Sequence, residues 1–280
     1  MNQNKIWDIL SLPKDIQSAV NSVISGKTVQ NAAKNAYSGE APDFPLCKRK
    51  PLTRLATVIL LLCKKYDEYA SIGVPEEIIA DTFRDVSLRA ILYKNKTGKT
   101  GISKDDVIWF RHIINHNIFK IGVLQFQPFN MVYLDEDLLN EPYMIFSFEQ
   151  KNILPPGTPV INIHIQNGTD LTAENVLQSL ERAKEIFKTL FPKTEFKAFL
   201  CYSWLLYPDM INMMNKTSKI KSFASLFKII GKVQDNEQAF EYLFEKAYKN
   251  PPKKLCKTTL QNLAKNNPKL FGFACGIINL

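Results

Sequence analysis

One amphipathic segment set between two β-prone segments constrains this chain more than any other feature. Val176, Leu180, Ala183, Phe187 and Leu190 step by four and three, which lines one face of an α-helix, and Phe191-Pro192 stops the run. Thr172 stands where an N-cap belongs, with Leu171 and Val176 placed to form a hydrophobic staple. Before the helix, Val160, Asn162 and His164 alternate with Ile161, Ile163 and Ile165, a period of two with one apolar face. After it, Phe196 to Leu206 reads as a long apolar strand. A strand, a helix and a strand in that order predict a crossover.

The flanking segments extend the pattern. Ile121, Val123, Leu124, Phe126 and Phe129 form a short β-prone stretch ended by Pro128 and its neighbours, and Met144 to Phe148 reads as a further strand. Pro155-Pro156-Gly157 is a turn. Beyond the long strand, the spacing predicts a Met-rich helix at Met210 to Met214, a strand from Phe223 to Val233 and a helix from Glu237 to Tyr248. A basic loop at Asn250 to Lys257, a short helix near Leu260 and a strand at Phe271 to Ile278 follow. This is the order of a mixed sheet with one crossover.

The first hundred residues are different, because every periodic segment there is helical. Ile16, Val20, Val23 and Ile24 follow Pro13; Leu52, Leu55, Val58, Ile59 and Leu62 follow Pro51. Pro75 opens a helix whose stripe is Ile78, Ile79, Thr82, Phe83, Val86 and Ala90, with Glu76 and Glu77 at its positive end. Ser103 and Asp106 are spaced for a capping box before Val107, Ile108, Ile113 and Ile114. The pattern changes around Lys120. The expected fold class is α+β, with a helical domain over residues 1–117 and a mixed sheet flanked by helices over 118–280.

Composition excludes several classes. The net charge is +9, but the lysines are scattered, which suits a solvated surface and argues against a nucleic-acid partner. The basic stretches Lys48-Arg49-Lys50 and Lys249 to Lys257 read as solvated loops. Five separated cysteines without a CxxC pair fit neither a disulfide framework nor zinc. No apolar run approaches the ~20 residues a membrane helix needs, and no basic stretch followed by an apolar segment opens the chain, so the expected location is cytoplasmic. His112 and His116 share a helical face but lack further ligands, so no metal site is expected. Gly98-Lys99-Thr100 lacks the earlier glycine of a phosphate-binding loop, since Tyr93 stands there. Cys201, inside an apolar strand, reads as a small hydrophobe, with attack assisted by His164 as the competing reading.

Four stretches, read jointly, carry a family resemblance. They are Ala80 to Val86 with Leu92-Tyr93; Ile118 to Phe126; Ile163-His164-Ile165 leading to Asp170-Leu171 and the long helix; and Phe196 to Leu206. Together they span about residues 80 to 230 and resemble a bacterial family of acyltransferase-domain proteins, with a helical N-terminal domain and a GNAT-like C-terminal domain. The resemblance implies that an acyl group passes from acetyl-CoA or another acyl-CoA to a small-molecule or peptide amine. The cofactor would lie between splayed strands at Val160 to Ile165 and Phe196 to Trp204. Its pyrophosphate would meet the turn Gln166 to Thr172 at a helix N-terminus. Ile163, Ile165, Gln166, Asn167, Gly168 and Thr169 are the implied cofactor-binding residues.

The resemblance also implies catalytic candidates. His164 is the first candidate for the base, against a histidine simply held by hydrogen bonds. Tyr207, at the expected strand end, is the candidate acid, with Tyr202 as a weaker alternative and Glu149 as a carboxylate base. Two departures stand out. The turn has one glycine followed by Asp170 and Glu174, whose charges oppose a pyrophosphate, and Tyr202 occupies a position where the family pattern has histidine. The alternative function is a non-catalytic GNAT-like binding module with a degenerate phosphate loop.

Overall fold

The computed structural model describes residues 3–135, 143–246, 248 and 250–280, so Lys249 of the second basic stretch lies outside it. The chain divides into two compact units after Ile121.

The first unit is built from α1 (Gln3–Leu10), α2 (Lys14–Ile24), α3 (Lys27–Lys34), α4 (Pro51–Ser71), α5 (Glu76–Thr97) and α6 (Lys104–Ile114), and ends in the short strand β1 (Phe119–Ile121). The helical stripes turn inward as their spacing requires: Leu55, Val58, Ile59 and Leu62 of α4 and Ile78, Phe83, Val86 and Ala90 of α5 are buried. Both halves of the Ser103–Asp106 capping box form at the start of α6. Gly98 of the Gly-Lys-Thr triplet is the left-handed C-cap of α5, a helix end rather than a phosphate loop. A buried carboxylate joins the helices: Asp85 accepts from Arg89 Nε at 3.2 Å and Trp109 Nε1 at 2.7 Å, and Arg89 also donates to Asp106 at 3.1 Å.

His112 and His116 do not share a helical face. Helix α6 stops at Ile114, and His116 takes a left-handed backbone conformation with its ring edge-on to Tyr69 at 4.5 Å. No group of three or more metal-ligating side chains occurs among the described residues. Burial, reinforced by Arg111, pushes the His112 pKa down to about 4, and burial also lowers that of His116. The His112 ring therefore stays neutral in the fold well below the pH at which the unfolded chain takes up its proton, near the ordinary value of about 6.5. Stability from this source is complete above pH ~6.5 and is lost as pH falls toward 4. The thermal midpoint should drop across that window, and His112→Gln should flatten the drop; parallel curves for the two proteins would contradict this account.

The second unit contains β2 (Leu124–Asn130), α7 (Phe148–Ile153), β3 (Pro159–His164), α8 (Ala173–Leu190), β4 (Ala198–Ser203), α9 (Pro208–Asn212), α10 (Lys219–Ala224), β5 (Lys228–Val233), α11 (Glu237–Phe244), α12 (Thr259–Asn266) and β6 (Phe273–Asn279). These strands lie in the order β2-β3-β4-β6-β5. Only β3 and β4 run parallel, joined through α8; the other pairs are antiparallel. One sheet face carries Phe126 and Phe199, in ring contact with each other, and Phe126 meets Phe187 of α8. The opposite face carries Val160, Leu200, Cys275 and Ile277, buried beneath Met131, Tyr133, Met144 and Leu154. Where the chain enters β2, Gly122 has φ +61° and any Cβ there would stand 2.3 Å from Ser179 Oγ, which accepts the Val123 N–H.

Several expected elements take other forms. Met144 to Phe148 is not a strand. Met144 and Phe146 are instead side chains of the segment that covers the sheet, and Ser147 accepts from the Gln150 N–H to begin α7. The strand expected over Phe196 to Leu206 is β4 alone, because Ser203 Oγ accepts from Leu205 N–H and turns the chain into a short 3-10 segment before Pro208 opens α9. The first part of the segment Phe223 to Val233 belongs to the end of α10, leaving β5 from Lys228. Helix α11 ends at Phe244, where Glu245 turns left-handed, well short of Tyr248.

Candidate active site

The pairing of β3 with β4 is short. Ile161 faces Phe199 and Asn162 faces Leu200, yet β3 continues to His164 and β4 to Ser203. Beyond Asn162 and Leu200 the two parallel strands run on without pairing to each other, so the sheet opens at their C-terminal ends. Ligands in open α/β sheets lie outside those ends.

Strand parity decides which side chains reach the opening. Register sets Asn162 beside Leu200, so His164 lies on the face of Tyr202, and Cys201 points to the opposite face with Phe199. Cys201 is wholly buried and its thiol is pushed far above the usual range by burial. The reading in which His164 assists attack by Cys201 is therefore excluded by geometry.

His164 is half-buried, and its Nε2 lies 2.8 Å from Gln127 Oε1 and 3.2 Å from Asn162 Nδ2. Gln127 is opposite Asn162 in the β2–β3 register, and Gln125 is opposite His164; both glutamines are buried. Sequence reasoning missed Gln127 and Asn162. Their signal was present in the two glutamines spaced two apart in the apolar stretch Leu124-Gln125-Phe126-Gln127, which place amides on one face of a buried strand.

The tyrosines are occupied elsewhere. Tyr202 donates its hydroxyl to the Val132 carbonyl at 2.6 Å and stacks on Phe273, and burial pushes its pKa far up. Tyr207 does not sit at a strand end; it follows the 3-10 turn, is 4% exposed and packs where a Cβ on Gly272 would meet its ring. Burial and Asp209 raise its pKa. Glu149 does not end a strand either: it is an exposed residue in the first turn of α7.

After β3 the chain turns at Gln166 to Thr169, with Gly168 at φ +79° and the Thr169 N–H and hydroxyl both donating to the Gln166 carbonyl. Thr172 precedes α8 but does not cap it. Its hydroxyl donates to Asp170 Oδ1 at 2.6 Å, and the first intrahelical donor is the Val176 N–H to the Thr172 carbonyl. The amides of Ala173, Glu174 and Asn175 thus precede the first intrahelical bond at the positive end of an 18-residue helix. Asp170 also accepts from Asn175 Nδ2 at 3.1 Å and from Lys219 Nζ at 2.8 Å, and Lys219 with Thr172 holds its carboxyl down at about 2. The lysine offsets the aspartate charge that opposed an anion here. Of the implied cofactor residues, Ile163 is buried on the face of Phe126, and Ile165, Gln166, Asn167, Gly168 and Thr169 follow β3 in the turn that leads to α8.

Residues 118–269 match the family described as the GNAT-like C-terminal domain, and residues 3–115 match the N-acyltransferase N-terminal domain. Among solved structures, the chain is similar to an acyltransferase in complex with decanoyl-CoA and teicoplanin. Identity is 15%, with 99% of this chain and 87% of that chain covered at a TM-score of 0.71. The same values hold for an acyltransferase in complex with CoA and 10C-teicoplanin. At this identity the likeness establishes the fold. No curated protein matches. No described helix is long and apolar enough to cross a membrane.

Proposed function

This chain belongs to the family that joins an N-acyltransferase N-terminal domain to a GNAT-like C-terminal domain, and on that premise we propose that it transfers an acyl group from acyl-coenzyme A to an amine. The observation that carries the reading is the opening between β3 and β4, continued by the turn Gln166 to Thr169 and the uncapped start of α8. A pantetheine arm suits a gap between strands that still present backbone groups, and a pyrophosphate suits open helix amides. Structural neighbours of the same fold hold decanoyl-CoA or CoA, which supports the donor class.

When bound, acyl-CoA supplies an activated thioester. The chain's residues would then do three things. The amides of Ala173, Glu174 and Asn175, with Lys219 nearby on Asp170, would hold the anionic end. The edges of β3 and β4 would orient the thioester arm. His164 would take a proton from the amine, the role its place on the open face supports. Tyr202, held by the Val132 carbonyl, is the wall of this face rather than its acid.

A neighbour was crystallised with teicoplanin beside decanoyl-CoA, and amines of small-molecule and peptide type are the acceptors to try. The test is release of free thiol from decanoyl-CoA and acetyl-CoA in the presence of primary amines of small-molecule and peptide type. Release that rises with amine concentration is expected. Saturable donor binding with no amine-dependent release from any of them would favour a binding module instead.

A further inference from the structure

The lysines that give this chain its charge are out of balance at one end only. Residues 246–280 hold seven lysines, no arginine and no aspartate or glutamate, whereas the first 245 residues set 29 basic side chains against 27 acidic ones. Of the seven, Lys246, Lys253, Lys254, Lys257 and Lys269 are exposed, and none of these five has a carboxylate partner among the described residues. Elsewhere in the same unit Lys151, Lys184, Lys197, Lys219 and Lys232 each hold one. The loop that presents the unpaired charges is fixed in place. Lys265 of α12 donates to Asn250 Oδ1 at 3.1 Å and to the Pro251 carbonyl at 2.5 Å, and a capping box between Thr258 and Gln261 closes the far end.

These lysines belong to the module of α11, α12 and their connections, which is packed at the end of β4. Ser203 is opposite Ala274, so β6 starts where β4 stops. Just before β6, the buried Phe271 contacts both Trp204, which follows β4, and Phe240 of α11, with ring centroids 6.4 and 6.2 Å away. The opening between β3 and β4 lies at the same end of the sheet.

The make-up of the patch selects its partner. Lysine without arginine supplies point charges rather than the bidentate forks that read phosphates and bases, which goes against a nucleic acid. Among the described residues from 246 to 270 no large apolar side chain is exposed to enter a lipid surface. Glu237 and Glu241, exposed on α11, put negative charge into the same module, which suits a protein of mixed charge better than a uniform polyanion.

We propose that this module docks an acidic protein that carries the acyl group as a thioester on a phosphopantetheine arm. The arm is the part of coenzyme A that a gap between strands takes, and the lysines answer the charge of the protein at its base. In the transfer, the amine nitrogen bonds to the acyl carbon, the carbon–sulfur bond breaks, and the carrier's thiol leaves with the proton the amine gives up. The nature of the cargo rests on the acyltransferase reading, while the docking stands on the charges.

The test uses the full chain and an acidic acyl-carrier protein bearing a decanoyl thioester. Fluorescence anisotropy of dye-labelled carrier reads binding, and amide formation reads transfer. Wild-type binding should weaken with added salt. Lys253→Glu combined with Lys254→Glu should weaken it about tenfold and leave the kinetics with decanoyl-CoA unchanged, since both side chains are exposed and outside the contacts assigned to that donor. Should that variant fail to fold, Lys253→Gln with Lys257→Gln removes charge alone and is read in the same way. No carrier binding, or binding that the lysine variants leave unchanged, overturns the proposal. So does lysine-dependent capture of single-stranded DNA or of phosphatidylserine vesicles in place of the carrier. Lysine-dependent docking with no turnover of decanoyl-carrier or decanoyl-CoA would uphold the surface and count instead against the acyltransferase reading.

Discussion

Replacing His164 by alanine is expected to lower the transfer rate about 10²–10⁴-fold, the usual contribution of a positioned general base. Stability should change little. The ring is half-buried and the described bonds that would be lost are to Gln127 and Asn162, a loss of about 0.5–1.5 kcal/mol for a typical hydrogen bond. That is a shift of a few degrees in a chain of this size. Donor binding should persist, because the implied cofactor contacts are backbone groups and the start of α8. Rate measured beside the thermal midpoint checks the prediction. Equal loss of both would make His164 a structural residue, and an unchanged rate would move the base elsewhere.

The second large effect concerns the opposite face of the sheet. Phe187 is 1% exposed on α8 and contacts Phe126, Phe191 and Phe196, with ring centroids 6.5, 5.4 and 5.5 Å away. Phe187→Ala should cost about 3–5 kcal/mol, combining lost transfer energy with the cavity left behind. It should also loosen the helix whose first amides are assigned to the pyrophosphate, so donor affinity should fall with stability. Phe148→Ala is the control, since that ring is 80% exposed and its loss should leave stability within about 0.5 kcal/mol. Denaturant unfolding of both variants decides the matter; a Phe187→Ala cost under about 1 kcal/mol would show that α8 is not anchored through this ring.

Much of the architecture was legible because it is periodic. The apolar steps of α8, the alternation along β3 and the spacing of the Ser103–Asp106 box each record a local geometry that the sequence alone imposes. The failures came where apolar residues serve packing without regular structure. Met144 and Phe146 look like a strand because they alternate, but Met144 is buried and Phe146 half-buried by covering the sheet from an irregular segment. Thr172 sits at the capping position and was displaced from that role by Asp170, which captures its hydroxyl. A carboxylate two residues upstream competes with the helix for the same group.

The candidate site divides in the same way. His164 was visible as a polar residue on the mixed face of an alternating strand. The partner that grips it was not, because Gln127 lies 37 positions away and meets it only through the β2–β3 register. Tyr207 was misplaced for a local reason, since Ser203 and Pro208 end the strand earlier than apolar content suggests. Lys219 answers the charge of Asp170 from another helix, so the acidic turn looked more hostile to an anion in sequence than it is in space.

The most direct test of the central claim is calorimetric titration of the protein with coenzyme A and decanoyl-coenzyme A. Saturable one-to-one binding in the micromolar range is expected, weakened by added salt because Lys219 and the open helix amides would meet phosphate charge. No heat and no thermal shift at millimolar ligand would contradict it, and the gap between β3 and β4 would then be a feature of the fold without a donor to fill it.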